Sequence, residues 1–327
     1  MQPSFIVKAN QNDITNTLQK RLISINVTDE TGIQSDTLEI RLDDRDQTIS
    51  LPRTGAELSV YLGYDNKPKR VGLFTVDELV TEGPPDTLTI RARAANFRDS
   101  LKEKKERSWE TLTLSDIVTK IASEHELTPA IESTLGKEVI THIDQTNESD
   151  LHFITRLAKQ YDAISTIKQN RLIMTPRGQG KTISGNVLPT LILTPENLTR
   201  YRFTLADRGK YVAVIAYWHN TETAQKESIR AGNPEGKPVY TLRGLHPDAD
   251  AAKAAARGKL NSLERGSITG LLTLPGNPQL KAETPLTLNH FHTTINGTWV
   301  VTRAEHSLDK SGFLTKVNVV NKEIFLP

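Results

Sequence analysis

Apolar residues recur at every second position through the first hundred residues, with polar residues between them. Ile23, Ile25 and Val27 form the first such run, followed by Leu38, Ile40 and Leu42, then Leu58, Val60 and Leu62. Phe74 and Val76 continue the pattern, and Leu88, Ile90 and Ala92 close it. A period of two places one set of side chains on one face, so each run predicts a half-buried β-strand. Turn chemistry separates the runs at Asp29 to Gly32, Asp43 to Asp46, Asp65 to Pro68 and Gly83 to Asp86. Short strands at this spacing point to a sandwich or small barrel.

Near residue 100 the period becomes helical. Thr113 and Asp116 have capping-box spacing ahead of Ile117, Val118, Ile121 and Ala122, which predicts a helix ending at His125. Asn147, with Asp150 three residues on, is expected to cap a second helix carrying Leu151, Ile154, Leu157, Ala158 and Tyr161 on one face. A hairpin of Ala163 to Ile167 and Leu172 to Met174 follows. Strands return at Tyr201 to Leu205 and Tyr211 to Trp218. A further helix is expected with Pro247 in its first turn, Ala252, Ala256, Leu260 and Leu263 as its stripe, and Gly266 as its stop. Strands at Leu271 to Leu274, Leu286 to Leu288, Thr298 to Arg303 and Leu314 to Val320 complete the chain.

Two stretches of the chain resemble each other. Pro52 to Leu62 aligns with Pro278 to Leu288 at an offset of 226, matching Ala56 with Ala282 and Glu57 with Glu283. After one residue of slippage, Gly72-Leu-Phe74-Thr-Val76 aligns with Gly297-Thr-Trp299-Val-Val301. The expected fold is therefore mainly β, with two related β-barrel-like domains and a small α+β domain inserted between them. The expected division is 1–100, 101–189 and 190–327, the last domain carrying one helix and contributing strands back to the first.

Composition narrows the function. The 41 lysines and arginines against 39 aspartates and glutamates leave a formal charge of +2, too little for a dedicated sequence-specific nucleic-acid binder. No apolar run approaches the ~20 residues of a membrane-spanning helix. Zero cysteines remove disulfides, thiolate metal sites and cysteine nucleophiles. The start, Met1-Gln-Pro-Ser-Phe5, does not read as a signal peptide, which predicts folding in a cytoplasm.

Each catalytic template fails on its own geometry. Gly178-Gln-Gly180-Lys181-Thr182 ends like a phosphate loop, but Thr175 stands where the first glycine belongs. His125-Glu126-Leu127-Thr128-Pro129 opens like a zinc-protease helix and has proline in place of the second histidine. His290 and His292 are read on one side of a strand with His306 on a neighbouring one, as surface histidines in preference to a metal site. Asp43, Asp44 and Asp46 lack the glycine and distal glutamate of a calcium loop and read as a solvated turn. Arg98 to Glu110 interleaves five cations with four acids, the mark of a solvated or salt-bridged face. No Gly-x-Ser-x-Gly elbow occurs. The expectation is no catalytic residue, no metal and no cofactor.

Ser35-Asp-Thr-Leu-Glu-Ile-Arg-Leu-Asp-Asp44, Leu51 to Leu58 and Gly72 to Asp77 resemble the late control D family of contractile-tailed bacteriophages, as do Asn147 to Ala158 and Asn170-Arg-Leu172. The order of elements over essentially the whole chain agrees. The resemblance implies a non-enzymatic baseplate hub, similar to the N-terminal region of type VI secretion spike proteins. It further implies a homotrimer joining the hexameric tail tube to the trimeric central spike, with the tape-measure protein and other baseplate proteins as partners. Its place would be the virion tail, assembled in the host cytoplasm. Three chains with two related domains each would form a pseudo-sixfold ring around a polar channel. The alternative is a cell-wall polysaccharide-degrading enzyme of the tail, which needs two carboxyl groups about 5 to 9.5 Å apart in one cleft.

Overall fold

Alternation decides the β regions. In the computed structural model, which describes all residues except 33–35, 95–98, 169, 179–189, 206–210, 221, 266–267 and 322–327, each alternating run forms a strand. The first region comprises β1 (Pro3–Ala9), β2 (Asn12–Asp13), α1 (Thr15–Gln19), β3 (Leu22–Glu30), β4 (Thr37–Asp43), β5 (Glu57–Tyr64), β6 (Lys69–Glu82) and β7 (Thr87–Ala94). The apolar positions named from the sequence in β4 to β7 are all buried, as are Ile25 and Val27 of β3. They form one cluster together with Val7 and Leu18.

The middle region comprises β8 (Lys104–Thr113), α2 (Leu114–Glu124), β9 (Thr128–Ile131), β10 (Val139–Ser149), α3 (Asp150–Gln160), β11 (Ala163–Lys168) and β12 (Arg171–Pro176). Thr113 caps α2 in a full capping box with Asp116, as the spacing predicts, and His125 is its C-cap. The cap of α3 differs from expectation. Asn147 remains in β10 with a left-handed φ of 48°, and Ser149 is the N-cap, its hydroxyl accepting from the His152 N–H at 3.3 Å. Both residue types can cap, so spacing alone could not choose between them. Trp109, Leu114, Ile117, Phe153 and Leu157 anchor a separate core here, with the Trp109 and Phe153 rings stacked at 5.6 Å.

The last region comprises β13 (Leu191–Leu193), β14 (Arg200–Leu205), β15 (Ala213–Asn220), β16 (Gln225–Gly232), β17 (Val239–His246), α4 (Ala249–Arg265), β18 (Ile268–Pro275), β19 (Pro285–Leu288), β20 (Gly297–Asp309) and β21 (Gly312–Asn321). Pro247 lies before α4 and not in its first turn, because Asp248 takes the capping role: its Oδ1 accepts from the Ala251 N–H at 2.7 Å. Gly266 lies outside the described residues. β15, β16 and β17 form their own sheet, and α4 packs Ala252, Ala256 and Leu260 on it.

Thirteen strands form one sheet in which a six-strand order occurs twice. The first set runs β3-β4-β7-β6-β5-β1 and the second β14-β18-β21-β20-β19-β13. The match extends to individual hydrogen bonds. Gly55 N–H donates to Val76 C=O and Val76 N–H to Ala56 C=O; Glu283 N–H donates to Val301 C=O and Val301 N–H to Thr284 C=O. Leu58 pairs with Phe74 as Leu286 pairs with Trp299, and Val60 pairs with Gly72 as Leu288 pairs with Gly297. A bulge follows Val76 in β6 and Val301 in β20. The repeat read from the sequence is thus present, but its first segment corresponds at an offset of 228, two residues beyond the sequence alignment. A slip of two preserves which face each side chain takes, so the apolar pattern could not detect it. The sets differ in one pairing: β1 runs antiparallel to β5, whereas β13 runs parallel to β19.

Within the chain the two sets join edge to edge. Gly297 to Val300 of β20 pair with β19, and Arg303 to Asp309 pair with β3 across more than 270 residues of sequence.

Candidate functional site

Asp43, Asp44 and Asp46 and the histidines His290, His292 and His306 do not converge on one centre. Asp43 holds Arg45 at 2.6 Å, Asp46 takes Arg21 in a two-pronged contact at 2.6 Å, and Asp44 accepts from the Ile49 N–H at 3.1 Å. This is the solvated, strand-ending turn that was expected. His290 and His292 do not lie on a strand: β19 ends at Leu288, and His290 has a left-handed φ of 64°. His306 is not a surface residue either. It is 2% exposed, with Nδ1 2.9 Å from the Thr315 hydroxyl and Nε2 3.0 Å from the Leu280 carbonyl. Both ring nitrogens are committed to the core, and burial lowers its pKa to about 4. Positions 179–182 of the glycine-lysine-threonine segment lie outside the described residues.

The charge-dense stretch before α2 acquires a role that counting could not show. Asp150, the first residue of α3, is fully buried and accepts from Lys105 at 2.7 Å, Arg107 at 2.6 Å and Gln145 at 2.8 Å. His125 Nε2 lies 2.7 Å from the same carboxylate and its Nδ1 lies 2.9 Å from the Ser100 hydroxyl. Glu124 bridges Lys105 and Arg107 from the other side at 2.8 Å each. Burial pushes the Asp150 pKa up, but the bonds from Lys105, Gln145 and His125 outweigh it and hold the group below its ordinary value.

The order Ser100, His125, Asp150 superficially matches a hydrolytic triad. In such a triad the acid stabilises a forming imidazolium. Asp150 is already neutralised by two cations, which leaves it little to offer. Glu124, His125 and Asp150 also bring ligand atoms within 4.8 Å of one another. A divalent ion there would have to displace both Lys105 and Arg107 from the carboxylates. The cluster is better suited to fastening β8, β10 and the facing ends of α2 and α3, since a buried carboxylate with these partners is costly to disturb.

A cleft of about 800 Å³ separates the middle region, α4 and the second strand set. Glu283 lies in its wall, accepting from the Gly178 N–H and the Thr31 hydroxyl, each at 3.1 Å. Burial raises its pKa. Arg265 of α4 ties itself to Asp162 across this junction.

Exposed apolar side chains concentrate instead on the last strands. Tyr201 and Leu205 on β14 are 49% and 55% exposed, and Ile192 on β13 is 64% exposed. β14 ends the large sheet, pairing among the described residues with β18 on one side only. On β6, Glu78 to Glu82 pair with β7 but have no strand on their other side among the described residues. Unpaired edges of this kind offer backbone donors and acceptors to another chain. Among the described residues no helix is long and apolar enough to cross a membrane.

This architecture is that of phage tail proteins. The fold matches the 43 kDa tail protein of prophage MuSo2 from Shewanella oneidensis with a TM-score of 0.73 at 17% identity, covering 97% of this chain and 98% of that one. A tail protein from Neisseria meningitidis gives 0.74 at 11% identity, covering 99% and 98%. An Escherichia coli component of the type VI secretion system gives 0.57 at 10% identity, covering 93% and 74%. In sequence, the chain is 34% identical to a probable baseplate hub protein of Escherichia phage 186, covering 96% of this chain and 92% of that one. It is 32% identical to the corresponding protein of Escherichia phage P2, covering 98% and 93%. Residues 32–312 match the phage tail baseplate hub (GPD) family, and the chain belongs to that family.

Proposed function

We propose that this hub protein acts without catalysis as a trimeric adaptor in a contractile tail, joining the hexameric tail tube to the trimeric central spike. The observation that carries this reading is the doubled six-strand order, with its matched closing hydrogen bonds and matched bulge. Two similar units per chain become six in a trimer, so one ring can meet sixfold symmetry on one side and threefold symmetry on the other. The division at 1–100, 101–189 and 190–327 fits this scheme, with strands of the last part completing the first. The middle region then projects towards the spike or neighbouring baseplate proteins. A polar lumen of low net charge lets DNA and the tape-measure protein pass without being held. Assembly takes place in the host cytoplasm, and the finished protein resides in the virion. Sedimentation velocity of the full chain tests the reading: a trimer is expected, and a monomer at every concentration together with absence from purified virions would overturn it.

A further inference from the structure

We infer that the ring closes by strand addition between copies of this chain, the free half of β6 in one copy (Glu78 to Glu82) pairing with β14 (Arg200 to Leu205) of the next. The inference rests on the trimeric reading above and specifies its interface.

The distal half of β20 pairs with β3 and so joins the second strand set to the first. In the correspondence between the sets, β20 matches β6 and β3 matches β14. Each distal half-strand follows the matched bulge, so Arg303 corresponds to Glu78. Following the pairings across the sheet places Val27 of β3 at the position of Phe203 of β14. Among the described residues, the unpaired half of β6 and the unpaired side of β14 are therefore the counterparts of the two edges that pair within the chain. Repeating the junction between chains uses both, and six like junctions, three within chains and three between them, join the β3-β4-β7-β6 and β14-β18-β21-β20 strands into one closed ring.

The register follows from the same correspondence. His306 pairs with Val27 inside the chain, so Thr81 should face Phe203 of the next copy. Leu79 then faces Leu205, Val80 faces Thr204 and Glu82 faces Arg202. Leu79 with Leu205 sets apolar against apolar and Glu82 with Arg202 sets acid against base, cross-strand pairs that stabilise an antiparallel ladder. Neither Glu82 nor Arg202 has an ion-pair partner among the described residues.

Exposure supports the same assignment. Tyr201 and Leu205 stand at positions whose counterparts in β3 are Ile25 and Asp29. Those counterparts, flanked by β20, are 0% and 6% exposed, whereas Tyr201 and Leu205 are 49% and 55% exposed. The missing neighbour on β14 accounts for the difference.

The absence of cysteine makes the test direct. The full chain carrying Val80→Cys with Thr204→Cys should oxidise to a reducible, covalently closed trimer, while either single variant should not. Val80→Cys with Arg202→Cys, two positions out of register, should cross-link at least tenfold more slowly. Independently, Glu82→Lys should shift the trimerisation midpoint at least tenfold, and adding Arg202→Glu should restore it. A trimer indifferent to Glu82→Lys and lacking the in-register cross-link overturns the edge assignment and leaves the trimeric reading standing. A chain that sediments as a monomer at all concentrations and forms no cross-link overturns both.

Discussion

The two matched hairpins end differently. The strand pair below the β20–β21 turn is apolar: Leu308 and Phe313 are 6% and 3% exposed because both insert into the core of the first strand set, while the turn itself, Asp309-Lys310-Ser311, is exposed. Tyr64 packs its ring 5.5 Å from that of Phe313 and donates its hydroxyl to the Phe313 carbonyl at 3.2 Å. Ser307 adds a bond to Asn26 at 2.8 Å. The corresponding tip of β6–β7 is Glu82-Gly83-Pro84-Pro85-Asp86, exposed except for a half-buried Asp86. An apolar pair at the end of the hairpin suits a junction that is always covered. A tip that stands free before assembly is safer polar, since an uncovered apolar patch invites aggregation. The difference separates a permanent junction within the chain from one suited to forming between chains.

Removing the permanent junction's anchor should have the largest effect. Phe313→Ala is expected to cost about 3 to 5 kcal/mol in denaturant unfolding, as for other buried aromatics. Asp86→Ala at the other tip should cost less than about 1 kcal/mol. Comparable losses at the two tips would erase the distinction between them.

The junctions should also differ in their response to acid. His306 lies in the internal one, and Thr81 occupies its counterpart in β6. With a pKa of about 4 in the folded chain against 6.5 for an unperturbed histidine, His306 binds fewer protons folded than unfolded in that window. Its contribution is complete above pH 6.5 and is lost as the pH falls towards 4, by roughly 3 kcal/mol. His306→Gln should flatten the slope of stability between pH 4 and 6.5. An unchanged slope would show that other groups dominate it.

A finer comparison concerns Gly72 and Gly297, matched positions with different constraints. Gly297 has φ of +129°, which side chains rarely adopt. Gly72 instead lies beneath the Phe74 ring, which a β-carbon would strike. Alanine at either should cost about 1 to 3 kcal/mol. Phe74→Leu should recover part of the loss at Gly72, whereas Trp299→Leu should recover none at Gly297; equal rescue by thermal denaturation would contradict the difference. Smallest of all, Glu82→Lys should leave unfolding of the isolated chain within about 0.5 kcal/mol, confining its effect to association.

Local chemistry made much of the fold legible. Alternation located β4 to β7 because each has one dry face, and Thr113 with Asp116 specified the start of α2. What stayed hidden depends on distant partners. That strands of the last part return to the first was expected, but that the distal half of β20 pairs with β3 leaves no local signature. Charge counting placed Lys105 and Arg107 on a solvated or salt-bridged face but could not reveal that their partner, Asp150, is buried. His306 read as a surface histidine because its partners, Leu280 and Thr315, are supplied by other segments. The separate sheet of β15, β16 and β17 was equally invisible, since its parallel β15–β17 pairing spans residues that show no shared pattern.

Electron cryomicroscopy of the assembled full chain addresses the central claim most directly. The account predicts a threefold ring with a continuous sheet, in which β20–β3 contacts within chains alternate with β6–β14 contacts between them. A ring held together through the middle region, with both β edges still free, would contradict it.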